Sequence, residues 1–199
     1  YTCKQGTMAC PGHIGMIQLN KWFLIPKFAE TAVRVLMCVC NGCGHILTSA
    51  KVLKRMGILD LPTIARVRAI SAITTKIGRC SCNPIDASGT VRPCIPNPTY
   101  FPSKCKDTYT VMCEYNDPQT RGVKISNEKT IEEIFEIFDR IDEYSLKALG
   151  FDGKTHPRDF VLRGIAVIPP CAIPYVIRGG EISHDYITTS YCDIIRYNN

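Results

Sequence analysis

Hydrophobic side chains recur at intervals of three and four residues in four stretches of the chain, which are residues 26–38, 61–76, 127–151 and 184–199. This spacing places the side chains on one side of an α-helix. We therefore predict four helical segments, each with its apolar side packed inward. In the last segment the residues expected to face inward are Tyr186, Ile187, Tyr191, Ile194 and Ile195.

In the third segment, local signals mark where helices begin and end. A helix begins well where a side-chain oxygen can accept a hydrogen bond from a free backbone N–H group. Asn127 offers one such beginning, and Thr130 with Glu133 three residues later offers another. A second short helix is predicted from Asp142 to Gly150. The apolar stripe of the segment consists of Ile131, Ile134, Phe135, Phe138 and Ile141.

Strands are predicted where apolar residues alternate with polar ones or run together. A short strand is expected after His13, and residues 108–112 alternate in the way of a half-buried strand. Residues 160–168 form a predicted buried strand that ends at Pro169, because proline cannot donate to a sheet. Together with the helices, these segments predict an α+β fold with short strands and long loops.

Composition is that of a globular protein with a substantial core. The 199 residues are 45% hydrophobic and 21% charged, which are ordinary proportions for a folded domain. No run of about 18 apolar residues occurs, so no membrane-spanning segment is expected. A secretory signal peptide is not expected either.

Twelve cysteines are many for such a chain, and their spacing favours metal over disulfides. Cys10 and His13, and likewise Cys40 and Cys43, are separated by two residues that include a glycine, which suits a sharp turn around one ion. Zinc-binding thiols imply a reducing, intracellular compartment. A secreted domain held by disulfides is the alternative.

The first predicted zinc site comprises Cys3, Cys10 and His13. A structural zinc site has four ligands, so we expect the fourth one residue before Tyr1 and expect the sequence to be a segment of a longer protein. An open catalytic zinc with three ligands is less favoured, because no Asp or Glu lies nearby to act as a general base.

The second predicted zinc site comprises Cys40, Cys43, Cys94 and one of Cys80 or Cys82, with Cys80 preferred. These residues lie in or before the stretch 78–100, which is longer than loops in compact domains usually are. A metal ion would tie such a loop to the rest of the fold. The remaining candidates, Cys38, Cys105 and Cys113, are expected to be packed thiols, and His45 a surface histidine.

The net charge of +6 is unevenly distributed. Residues 51–82 contain seven basic residues and one acidic residue, whereas residues 128–152 contain eight acidic residues and three basic ones. A basic region can bind a polyanion and an acidic region can bind protein, although both can equally be solvated faces. The candidate phosphate contacts are Lys51, Lys54, Arg55, Arg66 and Arg68.

Four sets of residues, in this order, resemble the N-terminal clamp region of the largest, β′-like subunit of multisubunit RNA polymerases. They are Cys3 with CPGHIG at 10–15; Val35-Leu36 with CNGC at 40–43; EIFEIF at 133–138 with 149–151 and VIPP at 167–170; and DYIT at 185–188 with DIIR at 193–196 and Asn198-Asn199. One departure is Pro174-Tyr175, where that family carries Arg-Pro.

The resemblance implies a clamp core and a clamp head stapled by two zinc ions. Residues 1–48 would form clamp core with the first zinc knuckle and half of the second site. Residues 49–126 would form an insertion like the clamp head, with the basic helix and the remaining ligands. Residues 127–199 would return to the clamp core.

The resemblance also implies a function in transcription. The whole subunit is part of a DNA-directed RNA polymerase, a nucleotidyltransferase that uses Mg²⁺, but the family's aspartate loop (NADFDGD) does not occur in these residues. This segment would hold downstream DNA and the RNA–DNA hybrid without doing chemistry. Its partners would be the second-largest subunit, smaller subunits, template DNA and the hybrid, with no membrane.

Two further expectations follow. The divergence of the sequence suggests a large DNA virus that encodes its own polymerase, so the protein would act in the nucleus, or in the virion and host cytoplasm. The alternative function is a free-standing zinc-binding adaptor that binds nucleic acid without any polymerase activity.

Overall fold

A computed structural model describes residues 3–6, 9–77, 80, 94, 98–105, 108–116, 123–173 and 175–198. Its helices are α1 (Ala29–Cys38), α2 (Ala50–Arg55), α3 (Thr63–Thr74), α4 (Ile131–Asp139), α5 (Glu143–Leu149) and α6 (Tyr186–Asn198). Its strands are β1 (Gly15–Leu24), β2 (Thr99–Cys105), β3 (Thr108–Asn116), β4 (Lys124–Lys129), β5 (Val161–Val167), β6 (Val176–Arg178) and β7 (Glu181–Ser183). The α+β prediction is confirmed.

The chain forms two compact units. Residues 24–161 make one, here called the central unit, and residues 1–23 with 162–199 make the other, the terminal unit. Among the described residues, the buried hydrophobic side chains all belong to the central unit. The three-part division into clamp core and clamp head stays a prediction.

The central unit has its core between helices and a three-stranded antiparallel sheet. Strands β2, β3 and β4 are paired in that order. Helix α1 packs against α3 and β2 and buries Val35 and Leu36 almost completely. Phe160 stacks on Phe28 at 5.0 Å between ring centroids and meets the edge of Phe138 at 6.4 Å. Burial of each such side chain stabilises the fold by about 1.5–3 kcal/mol.

The terminal unit consists of β1 paired with β5, the hairpin β6–β7 and helix α6. In the hairpin, Val176 lies opposite Ser183. The guanidinium of Arg163 lies over the ring of Trp22 at 5.4 Å from the centroid, a cation–π contact. The described residues of this unit include none that is buried as fully as the core of the central unit.

The predicted helices 26–38 and 61–76 are confirmed as a 3-10 turn (Pro26–Phe28) followed by α1, and as α3. In the third segment the capping box at Thr130 and Glu133 is confirmed. The alternative beginning at Asn127 is wrong, because Asn127 is paired with Cys113 in the β3–β4 ladder and its backbone is extended.

Some predicted burial is also wrong. Tyr186 is 83% exposed and Ile195 is 50% exposed, so α6 does not bury the side that its spacing indicates. Strand β5 is half-buried rather than buried. Periodicity describes which side chains share a face, but only packing decides whether that face is covered.

The pattern also missed several short elements, namely α2, β2, β4 and the β6–β7 hairpin. Each is short or carries many polar residues, so local spacing marks it weakly. Across the described ranges, no helix combines the length and the apolar content needed to cross a bilayer.

Candidate metal centres

Four cysteines converge in the central unit and form what we call the second cluster: Cys40, Cys43, Cys80 and Cys94. Their sulfur atoms all lie within 4.8 Å of one another. The Sγ atoms of Cys43 and Cys80 are 3.7 Å apart. Four sulfurs in a tetrahedron around zinc are separated by about 3.8 Å, since each Zn–S bond is about 2.3 Å. The cluster therefore fits a structural metal ion.

A tight turn brings Cys40 and Cys43 together at the end of α1. The amide of Cys40 donates to the carbonyl of His45, and the amide of Gly44 donates to the carbonyl of Cys40, both at 2.9 Å. Gly44 has φ +75°, a left-handed conformation that glycine adopts without strain. Because the turn is closed by backbone bonds, both sulfurs are positioned by local structure.

Burial, together with the neighbouring Cys40 and Cys43, raises the pKa of the Cys94 thiol to about 12. Burial likewise raises the pKa of Cys43. These thiols therefore stay protonated at neutral pH unless a cation compensates the charge of the thiolates. A metal ion supplies that compensation and releases protons when it binds.

Of the two alternative fourth ligands, Cys80 and Cys82, the structure describes only Cys80. Cys80 takes part in the second cluster, while Cys82 lies outside the described residues. Cys80 is also disulfide-bonded, and a disulfide sulfur cannot serve as a thiolate ligand. Metal binding by all four sulfurs thus requires that disulfide to be reduced.

The first cluster, in the terminal unit, consists of Cys3, Cys10 and His13, whose ligand atoms also lie within 4.8 Å of one another. The Sγ of Cys10 is 3.6 Å from that of Cys3 and 3.4 Å from Nε2 of His13. A tetrahedral zinc would place sulfur and nitrogen ligands about 3.5 Å apart. The three groups therefore fit one metal ion, and a fourth ligand before Tyr1 stays a prediction.

Backbone groups support this cluster. Gly12 donates its N–H to the Cys10 sulfur at 3.4 Å and has φ +84°. The pKa of Cys3 is lowered, first by a hydrogen bond from the Gln5 amide and then by His13. Both effects favour the thiolate, which is the form that binds metal.

Cys171 contacts the turn between Cys10 and His13, although its position in the sequence did not predict this contact. It lies in the 3-10 turn Pro170–Ala172, and its thiol donates to the carbonyl of Pro11 at 2.5 Å. A Cβ on Gly12 would come within 2.8 Å of the Pro169 side chain. The signal available in the sequence was the cysteine directly after the double proline.

Cys38 and Cys113 are packed thiols, as predicted. Cys38 is buried and donates to the carbonyl of Val67, and burial raises its pKa to about 12. Cys113 is buried and donates to the carbonyl of Asn127. The side chain of Cys105 lies outside what the structure describes. His45 belongs to neither cluster, and its Nδ1 lies 3.1 Å from the carbonyl of Cys43.

Four of the five candidate phosphate contacts are exposed. Lys51, Lys54 and Arg55 lie on α2, and Arg68 lies on α3. The hydrogen bond and charge of Arg34 lower the pKa of Glu30, and the charge of Arg68 makes a smaller contribution. The three basic residues of α2, Lys51, Lys54 and Arg55, form a cationic surface that we call the α2 basic surface.

Arg66 is engaged within the protein. Its guanidinium donates to the carbonyl oxygens of Leu61 at 3.1 Å, Lys147 at 3.2 Å and Leu59. These bonds join α3 to the end of α5 and use most of its donors. The geometry therefore favours a structural role for this arginine.

The chain matches, over residues 1–199, the protein family described as RNA polymerase Rpb1, domain 1. Similar curated proteins include the probable DNA-directed RNA polymerase II subunit RPB1 homolog of Invertebrate iridescent virus 6, which is 28% identical over 204 residues. The RPB1 subunit of Euplotoides octocarinatus is 28% identical over 207 residues. The archaeal Rpo1N subunit of Methanocaldococcus jannaschii is 26% identical over 202 residues.

Each of these alignments includes 100% of the present chain but only part of the relative. The chain spans 19% of the viral protein, 42% of the Euplotoides protein and 14% of the archaeal protein. The similarity thus concerns one region of much longer proteins.

Proposed function

The chain belongs to the Rpb1 domain 1 family, the N-terminal clamp region of the largest RNA polymerase subunit, and on that basis we propose that it holds downstream DNA and the RNA–DNA hybrid during transcription. It does so as part of a DNA-directed RNA polymerase. The nucleotidyl transfer and its Mg²⁺ ions belong to other parts of the enzyme, since the aspartate loop does not occur in these residues.

The observation that carries this proposal is a family match over the whole chain together with two side-chain clusters that suit zinc. The proposed ligands are Cys3, Cys10 and His13 at the first site. At the second site they are Cys40, Cys43 and Cys94, with Cys80 as the fourth once its disulfide is reduced. Zinc at such sites supplies a redox-inert cross-link between segments that are far apart in sequence. A clamp needs this stiffness, because it must keep its shape while it grips nucleic acid.

The α2 basic surface is the proposed contact with the phosphate backbone. Its three side chains are exposed, and contacts to phosphate carry no sequence information. A polymerase must move along any sequence, so contacts of this kind suit a clamp. The proposed protein partners are the second-largest subunit and the smaller subunits. The proposed location is inside the cell, in the nucleus or, for a viral enzyme, in the virion and host cytoplasm.

One experiment separates a clamp from a free-standing adaptor. The protein is tagged at its chromosomal or viral gene, purified at moderate salt and analysed by mass spectrometry. If the protein is a clamp, the purification should recover a second large subunit and several small subunits in constant proportion. Recovery of nucleic acid with no polymerase subunit would support the adaptor and overturn the proposal.

A second experiment tests the α2 basic surface within the assembled enzyme. Lys51, Lys54 and Arg55 are changed together to alanine, and the affinity for a downstream duplex is measured at several salt concentrations. Each lost phosphate contact lowers the slope of log Kd against log salt by about 0.9, so three lower it by about 2.7. The matched control removes three exposed cations elsewhere: Lys147, Lys154 and Arg158. An equal change in both variants would contradict the assignment.

A further inference from the structure

Arg140 links the end of α4 to the turn between Cys40 and Cys43. Its Nη1 donates to the carbonyl oxygen of Asn41 at 3.3 Å and to that of Gly42 at 3.4 Å. Asn41 and Gly42 are the two residues between the paired cysteines. The guanidinium therefore holds the part of the chain that sets the separation of the two sulfurs.

The backbone of Arg140 contacts the same turn. A Cβ built on Gly44 would lie 2.2 Å from the carbonyl oxygen of Arg140, so the two main chains touch with no room for a side chain. Arg140 is the C-terminal capping residue of α4. Helix α4 is held rigidly by its buried Ile134 and Phe138, and it supports the turn through both side chain and main chain.

The carbonyl contacts also orient the turn. In a planar trans peptide the C=O and N–H groups point in opposite directions. Since two carbonyls of the turn point at Arg140, the N–H groups of Gly42 and Cys43 point away from it. A Cβ on Gly42 would lie 3.4 Å from the Cys94 sulfur and 3.9 Å from the Cys40 sulfur, so this glycine lies against the second cluster.

Electrostatics favour a cation at this position. Four thiolates around a zinc ion carry a net charge of about −2, and positive charge nearby stabilises it. Arginine stays protonated at every pH of interest. Its Nη2 is held 3.2 Å from the Glu136 carboxylate one turn earlier on α4, which fixes the direction of the guanidinium.

We propose that Arg140 is a positioning residue for metal binding at the second cluster: it holds the Cys40–Cys43 turn in its metal-binding shape and offsets the negative charge of the thiolates. This inference rests on the metal site of the proposed function but not on the binding of nucleic acid. Loss of an outer partner of a metal site commonly lowers metal affinity about 10- to 100-fold.

The test measures metal directly. The intact chain carries the background substitution Cys10→Ser, which disables the first cluster, so that the remaining zinc reports the second. Zinc affinity is measured by competition with a chromogenic chelator, and the coordination is examined by the thiolate-to-Co²⁺ absorption of the cobalt-loaded protein. Arg140→Gln is expected to lower affinity about 10-fold or more, and Arg140→Lys to lower it less because the charge remains.

The matched control is Arg158→Gln. The side chains of Arg158 and Arg140 are similarly exposed, at 49% and 48%. Arg158 pairs with Asp139 at the end of α4. The control removes the same charge without touching the turn and should leave zinc affinity within twofold. Equal affinities for Arg140→Gln and Arg158→Gln would overturn the inference. If Arg140→Gln does not fold, wild-type affinity in Arg140→Lys together with an unchanged cobalt spectrum would overturn it.

The protein that carries only Cys10→Ser distinguishes a failure of the second metal site from a failure of the role proposed for Arg140. If it binds no zinc at the second cluster, with all thiols reduced, the metal site itself fails. If it binds zinc and the Arg140 variants bind equally well, only the role of Arg140 fails.

Discussion

Asn198, near the end of α6, forms hydrogen bonds with Asn20 in β1 across 178 positions of sequence. The side-chain oxygen of Asn198 accepts from the Asn20 amide at 2.8 Å, and the side chain of Asn20 donates to the Asn198 carbonyl. The side-chain nitrogen of Asn198 also donates to the carbonyl of Gln18 at 2.7 Å. One asparagine thereby completes part of the open edge of β1 and attaches α6 to it.

Removing this side chain should loosen the terminal unit locally. Asn198→Ala loses two of these hydrogen bonds, each of which contributes about 0.5–1.5 kcal/mol. Hydrogen exchange at the Asn20 amide should therefore accelerate roughly 10-fold. Tyr197→Ala is the control, because Tyr197 is 84% exposed. Similar acceleration in both variants would show that the helix end frays regardless of Asn198.

A methyl group on Gly44 should destabilise the central unit strongly. Gly44→Ala meets both a left-handed φ of +75° and the carbonyl of Arg140. Gly57→Ala is the control for the cost of the left-handed backbone conformation alone. Gly57 has φ +66°, and no atom lies within 4 Å of a Cβ added there. We expect Gly57→Ala to lower the free energy of unfolding by about 1–2 kcal/mol. Gly44→Ala should lower it by about 1–3 kcal/mol more than that.

Chemical denaturation monitored by circular dichroism measures both free energies of unfolding. Equal losses of unfolding free energy in the two variants would mean that the end of α4 can move away from the Cys40–Cys43 turn at little cost. The difference between them reports how tightly α4 holds the second cluster.

Metal content should respond to single cysteines according to cluster membership. Cys40→Ser should lower bound zinc from two equivalents to one, whereas Cys192→Ser, a change at an exposed free thiol outside both clusters, should leave two. Inductively coupled plasma mass spectrometry of protein purified under reducing conditions, which keep Cys80 as a free thiol, gives the count. If Cys40→Ser still bound two equivalents of zinc, the second site would be contradicted.

Zinc binding at the second cluster should also weaken as pH falls. The raised pKa values of Cys43 and Cys94 mean that these thiols lose protons when the metal binds, so affinity increases with pH. Competition titrations at pH 6 and pH 8 measure this dependence. An affinity independent of pH would argue against thiolate ligands.

His156 should make the stability of the central unit depend on pH. Its Nδ1 accepts a hydrogen bond from the Arg158 amide at the start of the 3-10 turn Pro157–Phe160. Burial lowers the pKa of His156, and the charge of Arg158 lowers it further. The folded protein therefore resists protonation, so this contribution is complete above about pH 6.5 and is lost as pH falls through the lower folded pKa.

His156→Asn keeps an acceptor but cannot be protonated, so it should reduce the loss of stability between pH 7 and pH 5. The effect should approach that of a helix cap, about 1 kcal/mol. Free energies of unfolding at both pH values measure it, with the exposed His184→Asn as control. Unchanged pH dependence in His156→Asn would assign the effect to other groups.

Local chemistry was enough to predict α1, α3 and the capping box at Thr130, because each depends on residues within one or two turns of one another. The same holds for the Cys10–His13 and Cys40–Cys43 pairs, whose two-residue spacing and glycines dictate their turns. The predicted beginning at Asn127 failed because β3 pairs with that segment, a contact that no local pattern specifies.

The amino-acid sequence by itself determined which short segments turn, which begin helices and which pair candidate metal ligands, since these properties arise from neighbours along the chain. Only the tertiary structure decided between the alternatives by placing Cys80 beside Cys40, Cys43 and Cys94. It also decided that Arg66 donates to three carbonyl groups and that Arg140 contacts the turn between Cys40 and Cys43. These contacts include pairs of residues that are 37, 81 and 99 positions apart. Their formation depends on how whole elements pack, because the packing of many side chains outweighs the preference of any one segment.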